Sequence, residues 1–160
     1  MESHYPFEVL LLDIDGVQTN GSIFYSSNGD QLKAFNARDG VAIKKFIESG
    51  VFVAMLSNSL EPKLVQERCK TLGVKLFSCT NSPKIITLRE WAKKYDWKMQ
   101  KIAYIGDDIN DIDVLNEVGY SICPKDSHPS VIKISRLVTC AKGGDGVVRE
   151  VYEKFSKSSN

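Results

Sequence analysis

Apolar positions along this chain fall into blocks whose spacing separates strands from helices. The block at 9–12 reads Val-Leu-Leu-Leu, a continuous apolar run that is typical of a strand buried on both faces. Two short strand-like stretches at 22–25 and 31–35 then enclose the turn sequence Ser-Ser-Asn-Gly-Asp. Asn-Gly in this setting predicts a β-hairpin, which we interpret as a flap inserted at about 21–36.

A helix is predicted directly after this hairpin. Asp39 is a suitable N-cap and Gly50 a suitable end, and the apolar residues between them recur at helical spacing. The residues predicted to face inward are Val41, Ile43, Phe46 and Ile47.

The remaining chain alternates strands with helices. Strands are predicted over 51–56, 75–77, 102–105, 120–123 and 137–139, and helices over 62–72, 83–95, 109–118, 129–134 and 147–155. This alternation predicts an α/β fold, a Rossmann-like parallel sheet with helices on both faces and an inserted hairpin flap. No insertion suggests a large cap domain, and 1–160 is predicted to be a single domain.

Composition narrows the functional classes. The chain has 21 basic and 20 acidic residues and a formal net charge of +1, which gives no indication of a nucleic-acid or membrane-surface partner. The N-terminal sequence lacks the basic and apolar regions of a secretory signal, and no apolar run is long enough to span a bilayer. Four widely spaced cysteines without a C-x-x-C pair indicate reduced thiols, so we expect a cytoplasmic protein.

The first strand leads into two aspartates. Asp13 and Asp15 are two residues apart, so they leave the strand side by side at the edge of the sheet where ligands bind. Two carboxylates about 4 Å apart repel each other by roughly 4 kcal/mol at an effective dielectric constant of about 20. A divalent cation would relieve this repulsion, and hard oxygen ligands favour Mg²⁺. An isolated Asp-x-Asp is, however, more often a turn or a helix cap.

Polar residues follow the other predicted strands as well. Ser-Asn-Ser stands at 57–59, Asn-Ser-Pro-Lys at 81–84 and Gly-Asp-Asp-Ile-Asn-Asp at 106–111. Because parallel strands end at the same edge of a sheet, carboxylates, a hydroxyl and a lysine converge there. Phosphoryl transfer through a covalent aspartyl-phosphate requires this set of groups.

In these motifs the chain resembles the haloacid dehalogenase superfamily of Mg²⁺-dependent phosphatases. Further similarity lies in Phe-Asn-Ala-Arg-Asp-Gly at 35–40, Arg-Cys at 68–69 and Gly-Gly-Asp-Gly-Val-Val-Arg-Glu at 143–150. Together they resemble the 3-deoxy-D-manno-octulosonate 8-phosphate phosphatase family and its relatives that act on nine-carbon sugar-acid phosphates. The resemblance extends from about residue 9 to about residue 155.

The resemblance implies a role for each matching residue. Asp13 would be the nucleophile, and Asp15 would protonate the leaving sugar oxygen and later activate water. Mg²⁺ would be held by Asp13, by the backbone carbonyl of Asp15 and by Asp107. Lys84 and Ser57 would contact the phosphoryl group. Of the remaining two acidic residues, Asp111 would orient Lys84 or a metal-bound water, while Asp108 would do no more than cap the next helix.

The resemblance also implies the substrate and the assembly. The candidates for contact with the sugar acid are Asn36, Arg38, Asp39, Lys44 and Arg68, together with Asp15 and Lys84. Small members of the family form homotetramers in which flaps pack around an axis and a C-terminal segment reaches a neighbouring site. Such enzymes act in lipopolysaccharide biosynthesis.

Several residues have an alternative structural interpretation. Lys84 could be an ordinary solvated lysine, and Ser57 a common turn residue. The residues at 36–39 could form a helix N-terminus with a surface cation, and Arg68 could be a solvated residue in the middle of a helix. His4 and His128 are not candidates for catalysis.

The chain departs from the family pattern in two places. Ser57-Asn58-Ser59 stands where relatives have Thr-Gly-Arg or Thr-Gly-Glu, so a charged residue that discriminates substrates is missing. Asp145 replaces an arginine that is frequent in the glycine-rich loop. The alternatives are therefore a phosphatase of a nine-carbon 9-phosphate, a catalytically silent assembly module, or a phosphotransferase that uses the same aspartyl-phosphate.

Overall fold

The structure, a computed structural model, describes residues 5–59 and 61–156 of the chain. The strands, numbered in chain order, are β1 (Val9–Leu12), β2 (Phe24–Tyr25), β3 (Gln31–Leu32), β4 (Phe52–Ser57), β5 (Leu76–Cys79), β6 (Ile102–Ile105), β7 (Tyr120–Cys123) and β8 (Leu137–Val138). Six of them form a parallel sheet in the order β5-β4-β1-β6-β7-β8, and β2 and β3 form a separate antiparallel pair.

Helices cover both faces of the sheet. They are α1 (Ala37–Glu48), α2 (Pro62–Leu72), α3 (Lys84–Tyr95), α4 (Ile112–Glu117), α5 (Pro129–Ile134) and α6 (Val147–Ser156). Two 3₁₀ turns, Met99–Lys101 and Ile109–Asp111, precede β6 and α4. The predicted α/β fold with a hairpin flap and no large cap domain is confirmed. The single domain over 1–160 stays a prediction, because both termini lie outside the described residues.

The central strand β1 explains why this sheet has two hydrophobic layers. Leu10 and Leu12 pack with apolar residues of α1, α2 and α6, whereas Val9 and Leu11 pack with those of α3, α4 and α5. All four side chains are buried, at no more than 3% exposure. A continuous apolar run is required here because successive residues of a strand face opposite layers.

The beginning of α1 differs from the prediction. Asn36, not Asp39, is the N-cap, and its side chain accepts a hydrogen bond from the N–H of Arg38 at 2.8 Å. Val41 is 51% exposed, because residues two apart in a helix face nearly opposite directions, while Ile43 and Phe46 are buried as predicted. Asp39 lies instead within the first turn of the helix and is fully buried.

The flap is shorter than the sequence pattern predicts. Two residue pairs, Phe24 with Leu32 and Tyr25 with Gln31, form its ladder. The N–H of Ser26 donates to the carbonyl of Asp30 at 2.9 Å and closes the turn. Strand pairing ends early because the flap stands apart from the main sheet, which leaves Phe24 61% and Leu32 63% exposed.

Two further findings concern the whole described chain. Among residues 5–59 and 61–156, no helix is long and apolar enough to cross a bilayer. All four cysteines are free thiols.

Candidate active site

The loop after β1 fixes the first aspartate. Asp13 continues the sheet ladder by donating its N–H to the carbonyl of Ile105 at 3.0 Å. Its Oδ1 accepts the N–H of Ile14 at 2.7 Å, and its Oδ2 lies 2.7 Å from Nζ of Lys84. The residue is only 5% exposed, so both carboxylate oxygens are held by protein groups at the end of the central strand.

Lys84 is a buried cation between two carboxylates. It is the first residue of α3, and its Nζ lies 2.6 Å from Asp111 Oδ1 and 3.2 Å from the hydroxyl of Tyr104. Burial alone would lower the pKa of Lys84, but the neighbouring Asp13 and Asp111 carboxylates outweigh it and raise the pKa above its ordinary value. The lysine therefore remains charged beside Asp13.

Asp111 uses both of its oxygens for contacts within the protein. Oδ1 accepts hydrogen bonds from Lys84 and Tyr104, and Oδ2 accepts the N–H groups of Asp107 and Asp108 at 2.8 and 3.1 Å. The side chain is fully buried. Although its oxygens lie near those of Asp13 and Asp107, Asp111 has little free capacity for a metal. It instead accepts a hydrogen bond from Lys84 at 2.6 Å, while Asp108 caps the following turn by accepting the N–H of Ile109 at 2.8 Å.

The carboxylates of Asp107 and Asp13 lie close together where β6 and β1 end. Oxygens of Asp13, Asp107 and Asp111 all lie within 4.8 Å of one another. Gly16, with φ of +79°, allows this approach, since a Cβ there would lie 1.9 Å from Oδ2 of Asp107. The loop after β1 thus requires glycine for two reasons, its left-handed backbone and the space that Asp107 occupies.

The acidic cluster carries more negative charge than its lysine balances. Burial, together with the charge of Asp13, raises the pKa of Asp107 to about 8. Burial likewise raises the pKa of Asp13 to about 7, although Lys84 opposes the rise. Three carboxylates share one ammonium group here, so a divalent cation held by oxygens of Asp13 and Asp107 fits both the charge and the oxygen donors.

Asp15 has a partner that sequence reasoning missed. Its Oδ2 lies 2.7 Å from Nζ of Lys33, which also donates to the hydroxyl of Ser59 at 3.2 Å. Side-chain exposure is 32% for Asp15 and 1% for Lys33. The signal that could have found Lys33 is strand alternation, because Ile23, Tyr25, Gln31 and Lys33 line the cavity whereas Phe24 and Leu32 do not.

The loop after β4 supplies a hydroxyl. Ser57 is 1% exposed, and its Oγ accepts the N–H of Ser59 at 3.0 Å, which leaves its own O–H free to donate to a ligand. Asn58 donates to the carbonyls of Thr80 and Ser82 and accepts from Asn110 at 2.9 Å. The irregular Ser-Asn-Ser motif therefore ties three loops of the site together.

These groups surround one cavity of about 480 Å³ at the carboxyl ends of the strands. Among the described residues, the cations that line it are Lys33 and Lys84. Of the predicted site residues, the cavity brings together Asp13, Asp15, Ser57, Lys84, Asp107 and Asp108.

Asp15 and Lys84 line this cavity, but the other five predicted sugar contacts lie outside it in the single chain. Asp39 accepts the N–H of Arg149 at 2.8 Å, and Asn36 donates its side-chain amide to the carbonyl of Gly144 at 3.2 Å. Arg68 donates to the carbonyl of Asn36 at 3.4 Å and stacks 4.5 Å above the ring of Phe35. Asn36 thus joins the start of α1 to the glycine-rich loop, Asp39 joins α1 to α6, and Arg68 joins α2 to the start of α1.

The remaining two candidates for sugar contact are exposed on α1. Arg38 borders a separate surface depression near α6, and Lys44 lines none of the described cavities. Contact between a sugar and Asn36, Arg38, Asp39, Lys44 or Arg68 stays a prediction that the single chain does not support. Spacing along the sequence could not reveal this, because the packing of α1 and α2 directs these residues away from the cavity.

The fold and site together define the class of protein: a haloacid dehalogenase-type phosphatase. The sequence pattern of the haloacid dehalogenase-like hydrolases matches residues 63–151. The 3-deoxy-D-manno-octulosonate 8-phosphate phosphatase of Escherichia coli strain K12 is 40% identical over 145 residues, 91% of this chain and 77% of the relative.

Solved structures give the same result. The 3-deoxy-D-manno-octulosonate 8-phosphate phosphatase of Yersinia pestis has a TM-score of 0.93 and 34% identity, covering 99% of this chain and 85% of that one. The Moraxella catarrhalis enzyme, in complex with a magnesium ion, a phosphate ion and KDO, has a TM-score of 0.93 and 30% identity, covering 99% and 91%. The chain therefore belongs to the haloacid dehalogenase-like hydrolases, in the 3-deoxy-D-manno-octulosonate 8-phosphate phosphatase family, which confirms the resemblance.

Proposed function

We propose that this phosphatase is a Mg²⁺-dependent phosphomonoester hydrolase of a sugar-acid phosphate, with 3-deoxy-D-manno-octulosonate 8-phosphate as the favoured substrate. The observation that carries the proposal is the placement of Asp13, which Lys84 holds beside Asp107 at the base of a polar cavity. The relatives that share this fold support the substrate class.

Asp13 is the proposed nucleophile. One of its oxygens forms a bond to phosphorus while the bond from phosphorus to the sugar oxygen breaks, and Asp15 gives its proton to that oxygen. Water then attacks the aspartyl-phosphate, Asp15 takes up the proton of the water, and inorganic phosphate leaves. The two aspartates can divide these tasks because Asp13 is held by Lys84 and Asp15 by a different lysine.

Positive charge and hydrogen-bond donors hold the phosphoryl group. The ammonium group of Lys84 lies next to Asp13 and faces the developing charge, and the hydroxyl of Ser57 is free to donate. When bound, Mg²⁺ neutralises the charge that would otherwise keep a carboxylate and a phosphate apart. Asp13, Asp107 and the Asp15 carbonyl are its proposed ligands.

The proposed assembly is a homotetramer, and the proposed location is the cytoplasm, where the enzyme would serve lipopolysaccharide biosynthesis. The exposed apolar residues of the flap support an assembly, because a two-stranded hairpin gains little stability without a surface to pack on. The proposed partner is a small sugar-acid phosphate.

A phosphate-release assay tests the proposed function. The purified protein is incubated with a panel of eight-carbon and nine-carbon sugar-acid phosphates and neutral sugar phosphates, with Mg²⁺ or with EDTA. We expect Mg²⁺-dependent release that is fastest from the octulosonate 8-phosphate. No release from any substrate would favour a silent assembly module, and transfer to an acceptor without release would favour a phosphotransferase.

The variant Asp13→Asn tests the nucleophile. An amide cannot form the acyl-phosphate, so we expect turnover to fall at least about 10³-fold while the melting temperature stays within a few degrees. Asp96→Asn is the matched control, because Asp96 is an exposed aspartate at the end of α3 and tolerates an asparagine at its φ of 55°. Retained turnover in Asp13→Asn would remove this residue from its role.

A further inference from the structure

Lys33 connects the flap to the catalytic loop. It follows β3 directly, and its side chain extends from the flap to Asp15, eighteen positions earlier in the chain. A lysine loses about 2 kcal/mol of rotamer entropy when it is fixed, so exposed lysines are seldom held in one position. Here the side chain is 1% exposed and has two partners, Asp15 and Ser59.

The two contacts fix the direction of the Asp15 carboxylate. Oδ2 is bound by Nζ of Lys33 at 2.7 Å, and the same Nζ is anchored on the loop after β4 by Ser59 at 3.2 Å. Oδ1 is buried and has no hydrogen-bond partner within the described part of the chain. Among the described residues, Lys33 is therefore the side chain that holds the Asp15 carboxylate in this orientation.

The two lysines of the cavity contact different aspartates. Lys84 lies 2.7 Å from Asp13 and has no contact with Asp15, whereas Lys33 lies 2.7 Å from Asp15 and has no contact with Asp13. Lys84 thus belongs to the side of the nucleophile. Lys33 belongs to the side where the leaving group departs.

We propose that Lys33 is a positioning residue, which holds the carboxyl group of Asp15 in place for the leaving oxygen and so makes departure of the alcohol depend on the flap. The inference rests on the proposed function, in which Asp15 is the proton donor. In this proposal Lys33 acts on the departure of the leaving group and does not contact the phosphoryl group.

The test is the dependence of kcat/KM on the leaving group. This constant reports the steps up to the departure of the leaving group, so later hydrolysis of the aspartyl-phosphate does not affect it. Lys33→Met keeps the length of the stem and removes the charge. Esters of alcohols and of weakly acidic phenols need a proton from Asp15, whereas p-nitrophenyl phosphate needs little help.

We expect Lys33→Met to lower kcat/KM about 10²-fold for the sugar-acid phosphate, roughly 10-fold for phenyl phosphate and less than about 3-fold for p-nitrophenyl phosphate. The plot of log kcat/KM against leaving-group pKa should therefore steepen. Lys33→Arg, which retains a cation and donors, should restore most of the original slope. Lys93→Met is the matched control, since Lys93 is exposed on α3.

Equal losses for phenyl and p-nitrophenyl phosphate would overturn the proposal. A loss confined to the sugar-acid phosphate would also overturn it, because Lys33 would then be a sugar contact. If Lys33→Met fails to fold, Ser59→Ala tests the proposal by the same comparison of phenyl phosphate with p-nitrophenyl phosphate. We expect Ser59→Ala to lower kcat/KM for phenyl phosphate three- to ten-fold more than for p-nitrophenyl phosphate. A wild-type protein that releases no phosphate from any sugar phosphate would instead contradict the proposed function.

Discussion

At the scale of single residues, the site is a set of buried charges that depend on one another. Lys84 is the cation that Asp13 and Asp111 share, and each of the three is no more than 5% exposed. Removing one member of a buried pair leaves the other charge without compensation, which costs more than the pair contributes. Single substitutions here should therefore differ greatly in their effect on stability.

Lys84→Met tests this dependence. The substitution leaves the carboxylates of Asp13 and Asp111 buried without a cation, so we expect the free energy of unfolding to fall by about 3 to 5 kcal/mol and turnover to be lost. Asp13→Asn removes one negative charge from a cluster that has too many, so it should lower the free energy of unfolding by less than about 1.5 kcal/mol. Urea denaturation in the presence of EDTA measures the free energy of unfolding of both variants, with Lys93→Met as a control. Equal destabilisation of Lys84→Met and Asp13→Asn would contradict the argument.

Gly16 offers a second test at the residue scale. Gly16→Ala and Gly29→Ala both place a side chain on a left-handed backbone, at φ of +79° and +85°. Each should cost about 1 to 2 kcal/mol of stability. A Cβ at Gly16 would collide with Asp107, whereas nothing lies within 4 Å of one at Gly29.

We therefore expect Gly16→Ala alone to lower kcat, by about 10²-fold or more, and to raise the Mg²⁺ concentration needed for half-maximal activity. Activity titrations with Mg²⁺ measure both quantities. Similar kinetics for the two alanine variants would show that the position of Asp107 does not depend on Gly16.

At the scale of secondary-structure elements, α1 and α6 are joined by a buried carboxylate. Asp39 of α1 accepts the N–H of Arg149 in the first turn of α6, so it caps a helix that begins 108 positions later. The sequence pattern identified Asp39 correctly as a capping residue but assigned it to the wrong helix. Asn36 already caps α1, and the first turn then directs Asp39 inward.

The burial of Asp39 makes stability depend on pH. Burial raises its pKa to about 6, although the N–H groups of α6 and the charge of Arg68 oppose the rise and Asp145 adds to it. In the unfolded chain the pKa is about 3.9. The folded state therefore binds the proton more tightly, and this contribution to stability decreases as the pH rises from about 4 to about 6 and is constant above.

Asp39→Asn should remove this contribution, because an amide keeps an oxygen acceptor for Arg149 and does not titrate. Relative to the wild type, we expect the variant to gain on the order of 2 to 3 kcal/mol between pH 4 and pH 7. Urea denaturation at several pH values measures the difference, and Asp96→Asn serves as the control. If the difference in the free energy of unfolding between Asp39→Asn and the wild type stayed constant over this range, or decreased as the pH rises, Asp39 would not be the group with the raised pKa.

At the scale of the whole molecule, the flap has two faces with different surroundings. Ile23, Tyr25, Gln31 and Lys33 line the cavity, whereas Phe24 and Leu32 point to solvent in the single chain. An apolar pair on a two-stranded hairpin needs a surface to pack against. The proposed tetramer would supply it.

Phe24→Ser tests the assembly. We expect the substitution to lower the molar mass in solution from that of the tetramer, as measured by light scattering after size-exclusion chromatography. Ile86→Ser is the control, because Ile86 is a 47% exposed apolar residue on α3. A wild-type monomer, or a variant with unchanged mass, would contradict the proposal.

The sequence by itself determined the sheet and the acidic pair. An apolar run of four residues specifies a strand buried on both faces, and the spacing of Asp13 and Asp15 follows from the period of a strand. The residues that follow β1, β4 and β6 also line one cavity, as expected, because parallel strands have their carboxyl ends on the same side of the sheet. These features depend on local periodicity and on a general rule of topology.

Only the tertiary structure decided which side chains are partners. Lys33 reaches Asp15 because the flap folds back over the catalytic loop, and Asp39 reaches Arg149 because α1 packs on α6. Such contacts join positions far apart in the chain, and their geometry depends on where a helix starts and which way a hairpin folds. The packing of α1 on the sheet and on α6 sets the direction of these side chains, so spacing along the sequence could not select the residues that face the substrate.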